Sequence, residues 1–101
     1  MMLYNIKAQY NIKDTVPIFN PNPIREKERF LKYMQWSLYL AAAVNDMKNL
    51  QMTESEQFHQ LTRVVLNDAK DCILAMKPED AKFSVAKSKL DAKFMNHSLY
   101  L

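Results

Sequence analysis

The chain has 101 residues, 49% of them hydrophobic and 25% charged, with a formal net charge of +3. That balance describes one ordinary globular domain, residues 1–101, with room for a single core, and excludes a largely disordered chain. The longest uninterrupted apolar run, Leu38 to Val44, falls far short of the ~20 residues a membrane span needs, and so small a charge permits nucleic-acid binding without arguing for it.

The first segment alternates. Tyr4, Ile6, Ala8, Tyr10 and Ile12 are separated by Asn5, Lys7, Gln9 and Asn11, and a period of two predicts a strand or extended arm over residues 2–13. Pro17, Pro21 and Pro23 make the following stretch an extended connection, so that residues 1–22 form an arm and residues 23–101 a helical core. Asn22-Pro23 has the chemistry of a helix start, Asn as cap and Pro at the first helical position. From there to residue 50 no proline or glycine interrupts, and Tyr33, Trp36, Leu40, Ala43, Met47 and Leu50 repeat at spacings of three and four. Leu38, Tyr39, Ala41 and Ala42 make this helix apolar almost all round, which predicts a buried central element.

Thr53-Glu54-Ser55-Glu56 fits a capping box and opens a second helix over 54–76. Its stripe is Phe58, Leu61, Val65, Ala69, Cys72 and Met76, with Arg63, Asn67 and Lys70 opposite. Lys77-Pro78 ends that helix and begins a third over 78–96, with Glu79 and Asp80 placed where the helix dipole favours acids. Its dry face is Phe83, Ala86, Leu90 and Phe94. The expected fold is therefore mainly α: a three-helix domain with an N-terminal strand or arm.

Glycine is absent. Without it the chain has no inexpensive route to positive φ, and phosphate-cradling loops of the Walker or dinucleotide type are excluded. A single cysteine, Cys72, makes neither an internal disulfide nor a zinc framework and suits a reducing, cytoplasmic setting. Cys72, His59 and Asp68 could be nominated as nucleophile, base and orienter, but Cys72 falls in the apolar stripe and His59 well round from it, which reads as a core thiol. No metal site, cofactor or catalytic constellation is expected, and His97 aligns with the dry face of the third helix.

Two features remain to carry function. Arg25, Arg29 and Lys32 share a face of the first long helix, and Lys82, Lys89 and Lys93 a flank of the last; each could track phosphates. Glu26, Glu28 and Asp91 stand among them, as on ordinary solvated faces. The lone strand is the stronger anomaly, because one strand cannot satisfy its own backbone groups. Either it lays Tyr4, Ile6 and Ile12 over the helices as a packing device, or Tyr4, Ile6, Tyr10 and Ile12 pair with another protein or a second copy. These readings favour a small intracellular non-enzymatic interaction protein, a binder, inhibitor or assembly component. The glycine-free, lysine-rich composition suits a phage or mobile-element product acting in the host cytoplasm. A small nucleic-acid-binding protein is the alternative.

Overall fold

The computed structural model describes residues 2–21 and 26–94, with the side chains of residues 2–5, 26, 27, 29 and 30 outside that description. It is mainly helical. In chain order the helices are α1 (Met2–Gln9), α2 (Glu26–Asn49), α3 (Glu54–Leu61), α4 (Asn67–Leu74) and α5 (Phe83–Phe94), with 3-10 turns at Ile12–Asp14 and Pro78–Asp80. The Asn22-Pro23 helix start, His97 and the tail lie outside the described residues.

α2 is the longest of the described helices. Tyr33, Trp36, Leu40, Ala43 and Met47 all lie on its inner face and are essentially inaccessible, as their spacing predicts. Lacking glycine, α2 ends by placing Gln51 in the left-handed region at φ 58. The Met52 N–H then bonds to the Met47 carbonyl at 3.0 Å and the Gln51 N–H to that of Lys48 at 2.9 Å. This is the Schellman arrangement, sealed by burial of both Met47 and Met52. The next helix opens with the expected capping box: the Glu56 N–H bonds to Thr53 Oγ1 at 3.1 Å, and the Thr53 N–H to Glu56 Oε1 at 2.8 Å.

The N-terminal segment is not a strand. Residues 2–9 form α1 and residues 12–14 a 3-10 turn capped by Asn11, whose Oδ1 accepts from the Lys13 N–H at 3.1 Å. The alternation was real, but a segment with no strand beside it satisfies its backbone internally only as helix. The groups left over at the helix exit are taken by Gln60. Its Oε1 accepts from the Ile12 N–H at 3.2 Å and its Nε2 donates to the Tyr10 carbonyl at 3.3 Å. Lys7 adds an ion pair to Glu56 at 2.8 Å. The arm is thereby fastened to α3, and Ile12 enters the core with no exposure.

The helix expected over 54–76 is also divided. Between α3 and α4 the chain turns away at Thr62 to Leu66 and pairs with the extended segment around Phe19: the Phe19 N–H bonds to the Val64 carbonyl, and the Leu66 N–H to the Phe19 carbonyl at 3.0 Å. Val64 and Val65 stay buried, so the apolar stripe survives the break that periodicity alone could not show. Asn67 resumes the helix at φ 54, a conformation asparagine tolerates better than most residues. Its Nδ2 donates to Asn20 Oδ1 at 2.8 Å.

The third predicted helix begins later than expected. Pro78–Asp80 is a separate 3-10 turn, and α5 starts at Phe83 with its Ser84 N–H capped by Glu54 Oε2 at 3.0 Å. Glu54 thus supplies the acid at this N-terminus instead of Glu79 or Asp80. Phe83, Ala86, Leu90 and Phe94 are buried.

Because Ile12 is a core residue on the first segment, Ile12→Ala should destabilise the fold by about 2–5 kcal/mol in chemical denaturation. A loss below about 0.5 kcal/mol, the level of surface substitutions, would mean the segment is not part of the core.

Candidate functional site

Of the residues nominated on the first segment, Ile6, Tyr10 and Ile12 do not share a face. Tyr4's side chain lies outside the described residues, Ile6 is half exposed, Tyr10 is partly buried and Ile12 fully so. Helical geometry turns successive residues by about 100°, which disperses an alternating pattern round the axis. Burial, followed by the negative charge of Asp46, raises the Tyr10 phenol above its ordinary pKa; Thr15 lies close enough to oppose this, but not in hydrogen-bonding geometry.

The two basic clusters fare differently. The side chains of Arg25 and Arg29 lie outside the described residues, while Lys32 is exposed on α2. Lys89 and Lys93 are exposed on one flank of α5, and Lys82 is exposed just before its first residue. Asp91, which the sequence sets among them, is engaged elsewhere: Tyr33 Oη donates to its Oδ1 at 2.6 Å, and Lys87 Nζ to its Oδ2 at 2.9 Å. Lys93 Nζ lies 3.5 Å from Cys72 Sγ and 5.7 Å from the centre of the Phe94 ring. Cys72 is half-buried against the core and unpaired.

Two clefts open on the surface. One, of about 290 Å³, is lined by Lys7, Met52, Ser55, Glu56, His59 and Gln60. Ser55 and His59 are one helical turn apart but share no hydrogen bond, and Glu56 is occupied by Lys7 and Thr53. Those two bonds, Lys7 first, hold its carboxyl below the usual carboxylate range. The second cleft, of about 240 Å³, lies between the Phe19 segment and α2 and is lined by Ile18, Lys32, Gln35 and Trp36 among others. The Trp36 indole N–H is buried without a partner among the described residues. No group of three or more His, Cys, Asp or Glu among those residues could hold a metal ion, and no described helix is long and apolar enough to cross a membrane.

What the fold does assemble is a surface on the outer side of α2. Its composition predicts a helix buried all round, but the structure leaves its outer side open. Leu31, Met34, Leu38 and Tyr39 are 49%, 40%, 75% and 52% exposed, and Ala41 and Ala42 stand open beside them. Leu31, Met34, Leu38, Ala41 and Asn45 are spaced three and four apart, a second stripe diametrically opposite the buried one. No charged residue occurs between Lys32 and Asp46 on any side of the helix. Ile18, itself 51% exposed, lines the second cleft with Lys32, Gln35 and Trp36, on a flank of α2 between its two stripes. The sequence signal was the doubling of the stripe, which composition had merged into one apolar block.

No family model matches the chain, and neither curated proteins nor solved structures give a significant match.

Burial, reinforced by the bond to Asp91 and by that carboxylate's charge, pushes the Tyr33 phenol far above its ordinary 10.0. Below pH 10 folded and unfolded chains both keep this proton, and stability is unaffected. Above it only the folded chain keeps the proton, so stability falls by about 1.4 kcal/mol per pH unit. Tyr33→Phe should therefore be less stable at neutral pH, by about 1.5–3 kcal/mol for a bond to a charged group. It should also lose stability less steeply above pH 10. Equal alkaline slopes in denaturant titrations of the two proteins would refute the assignment.

Proposed function

We propose that the protein is a small non-enzymatic interaction protein, a binder, inhibitor or assembly component, whose contact surface is the outer face of α2. One observation carries this reading: the exposed face from Met34 to Asn45 is apolar or neutral throughout. Solvated helix faces in globular proteins are normally lined with charge, and contiguous exposed apolar patches of this kind mark contact sites. The two clefts are a poorer basis for small-molecule chemistry, since the first offers a serine and a histidine without a bond between them and the second buries its indole N–H. An unpaired, half-buried cysteine suits the reducing cytoplasm, and the lysine-rich, glycine-free composition suits a phage or mobile-element origin.

A second reading has its own observation. Lys89 and Lys93 line one flank of α5 and Lys82 stands just before it, none of them paired with a carboxylate among the described residues. Such a row could follow a phosphate backbone.

The two readings separate by experiment. Tagged wild-type protein should retain a protein contact in nuclease-treated host lysate that a Leu38→Glu bait loses, since Leu38 is the most exposed apolar residue of the face. Equal retention by both baits would remove the α2 reading. For the second, a mobility shift of DNA or RNA should weaken steeply with salt and disappear when Lys82, Lys89 and Lys93 are changed to Glu. Absence of any shift at low salt would end it.

A further inference from the structure

We infer that the extended segment around Phe19 is an open strand edge that takes up an extended peptide of another protein, one in which an apolar residue stands next to a glutamate or aspartate. The surface is the second cleft, apart from the outer face of α2, and the inference stands or falls independently of that face.

Backbone bonding leads to it. The Phe19 N–H and C=O both turn toward the Val64–Leu66 stretch and are bonded there. Successive residues of an extended chain present these groups to opposite sides, so those of Ile18 face away from Val64–Leu66. They make no hydrogen bond among the described residues. Pro17 has no N–H to give, so the usable edge begins at Ile18. The cleft of about 240 Å³ opens between this segment and α2, lined by Lys32, Gln35 and Trp36 and by no residue of Val64–Leu66. It therefore lies on the side to which the Ile18 groups turn. An unpaired edge of this kind is a template for a further strand.

Size and chemistry then select the occupant. The cleft is smaller than the roughly 300–1,000 Å³ of a pocket that engulfs a small molecule, and suits a side chain of a longer ligand. A residue paired with Ile18 carries its side chain on the same face as that of Ile18, which is 51% exposed and favours an apolar, β-branched neighbour across the strands. The next residue of the peptide points the other way, as Phe19 does, into the cleft. There it meets Trp36, 1% exposed and stacked on Phe19 at 5.3 Å, with Lys32 and Gln35 exposed beside it. Lys32 forms no ion pair among the described residues, not even with Glu28 one turn before it, and the Gln35 side-chain amide has no partner there. A carboxylate accepts from both the ammonium and the amide, whereas a basic side chain would meet Lys32 as a like charge.

Selection of linear peptides from a random display library on the full chain, with titration of the synthetic peptides, tests this. Enriched peptides should set an apolar residue beside Glu or Asp and bind more tightly than about 1 mM. In amide hydrogen exchange the Ile18 N–H of the free chain should be unprotected, unlike those of Phe19 and Leu66, and should become protected when peptide is added. N-methylation of the peptide residue that pairs with Ile18 removes the donor to the Ile18 carbonyl and should weaken binding tenfold or more, well beyond the effect at its neighbours. Lys32→Glu should weaken binding severalfold with helical circular dichroism unchanged, and a lysine in place of the peptide's acid should restore it. An Ile18 amide already protected in the free chain overturns the inference, because the chain then fills its own edge. So does a library that yields no peptide tighter than about 1 mM, or peptides indifferent to N-methylation at every position, which dock by side chains alone. Peptides lost by Leu38→Glu but kept by Lys32→Glu sit on the outer face of α2; they overturn this inference and leave the interaction reading standing.

Discussion

Phe19 ties together stretches of chain that are far apart in sequence. Its backbone bonds to Val64 and Leu66, and its ring stands 4.8 Å from Tyr33, 5.3 Å from Trp36 and 5.5 Å from Phe94. The contact with Trp36 is stacked and the other two are edge-on, both favoured arrangements of aromatic quadrupoles. One residue of an otherwise extended connection therefore meets α2, the break between α3 and α4, and the end of α5. Without it the Val64–Leu66 backbone would have no partner, and the arm would have no reason to cross α2 where it does.

The same contact explains which elements could be read from sequence. The inner stripe of α2, the capping box at Thr53 and the dry face of α5 depend on local spacing, and they stand where that spacing puts them. The division at Thr62–Leu66 depends on Phe19, more than forty residues away, and Val64-Val65 continues a helical stripe equally well whether or not the helix is broken. The first segment misled for a related reason. Alternation is a statement about side chains, whereas the choice between strand and helix was made by the backbone, which had Gln60 and its own carbonyls to bond but no neighbouring strand. Ile12 was legible as a core residue. A shared face for Ile6, Tyr10 and Ile12 was not there to be read, because it required the strand.

The absence of glycine has a visible cost and a visible solution. Gln51 and Asn67 hold positive φ, at roughly 1–2 kcal/mol for a residue bearing a Cβ. Each is held there by neighbours that gain from it. Gln51 allows the Met47–Met52 closure of α2, and Asn67 bonds to Asn20 beside the Phe19 crossing. Strain is placed where a turn also delivers an apolar residue to the core, and the chain needs no glycine to make sharp reversals.

α2 carries two apolar stripes, and the consequence concerns rigidity as much as contact area. On the inner side Tyr33 packs against Phe19 and Phe94, Trp36 stacks on Phe19, and Leu40 is fully buried, while Met34, Leu38 and Ala41 alternate with them in sequence on the outer side. Side chains of one continuous helix cannot move independently of its backbone. The packing that fixes the inner stripe therefore also fixes the spacing of the outer one. A loop offering the same residues would lose conformational entropy on binding, about 1–2 kcal/mol for each residue ordered, whereas this helix face is ordered before any partner arrives. The charge-free stretch makes the same sense from the inside. A lysine or glutamate at the outer positions would leave the core untouched, so the core does not demand their absence.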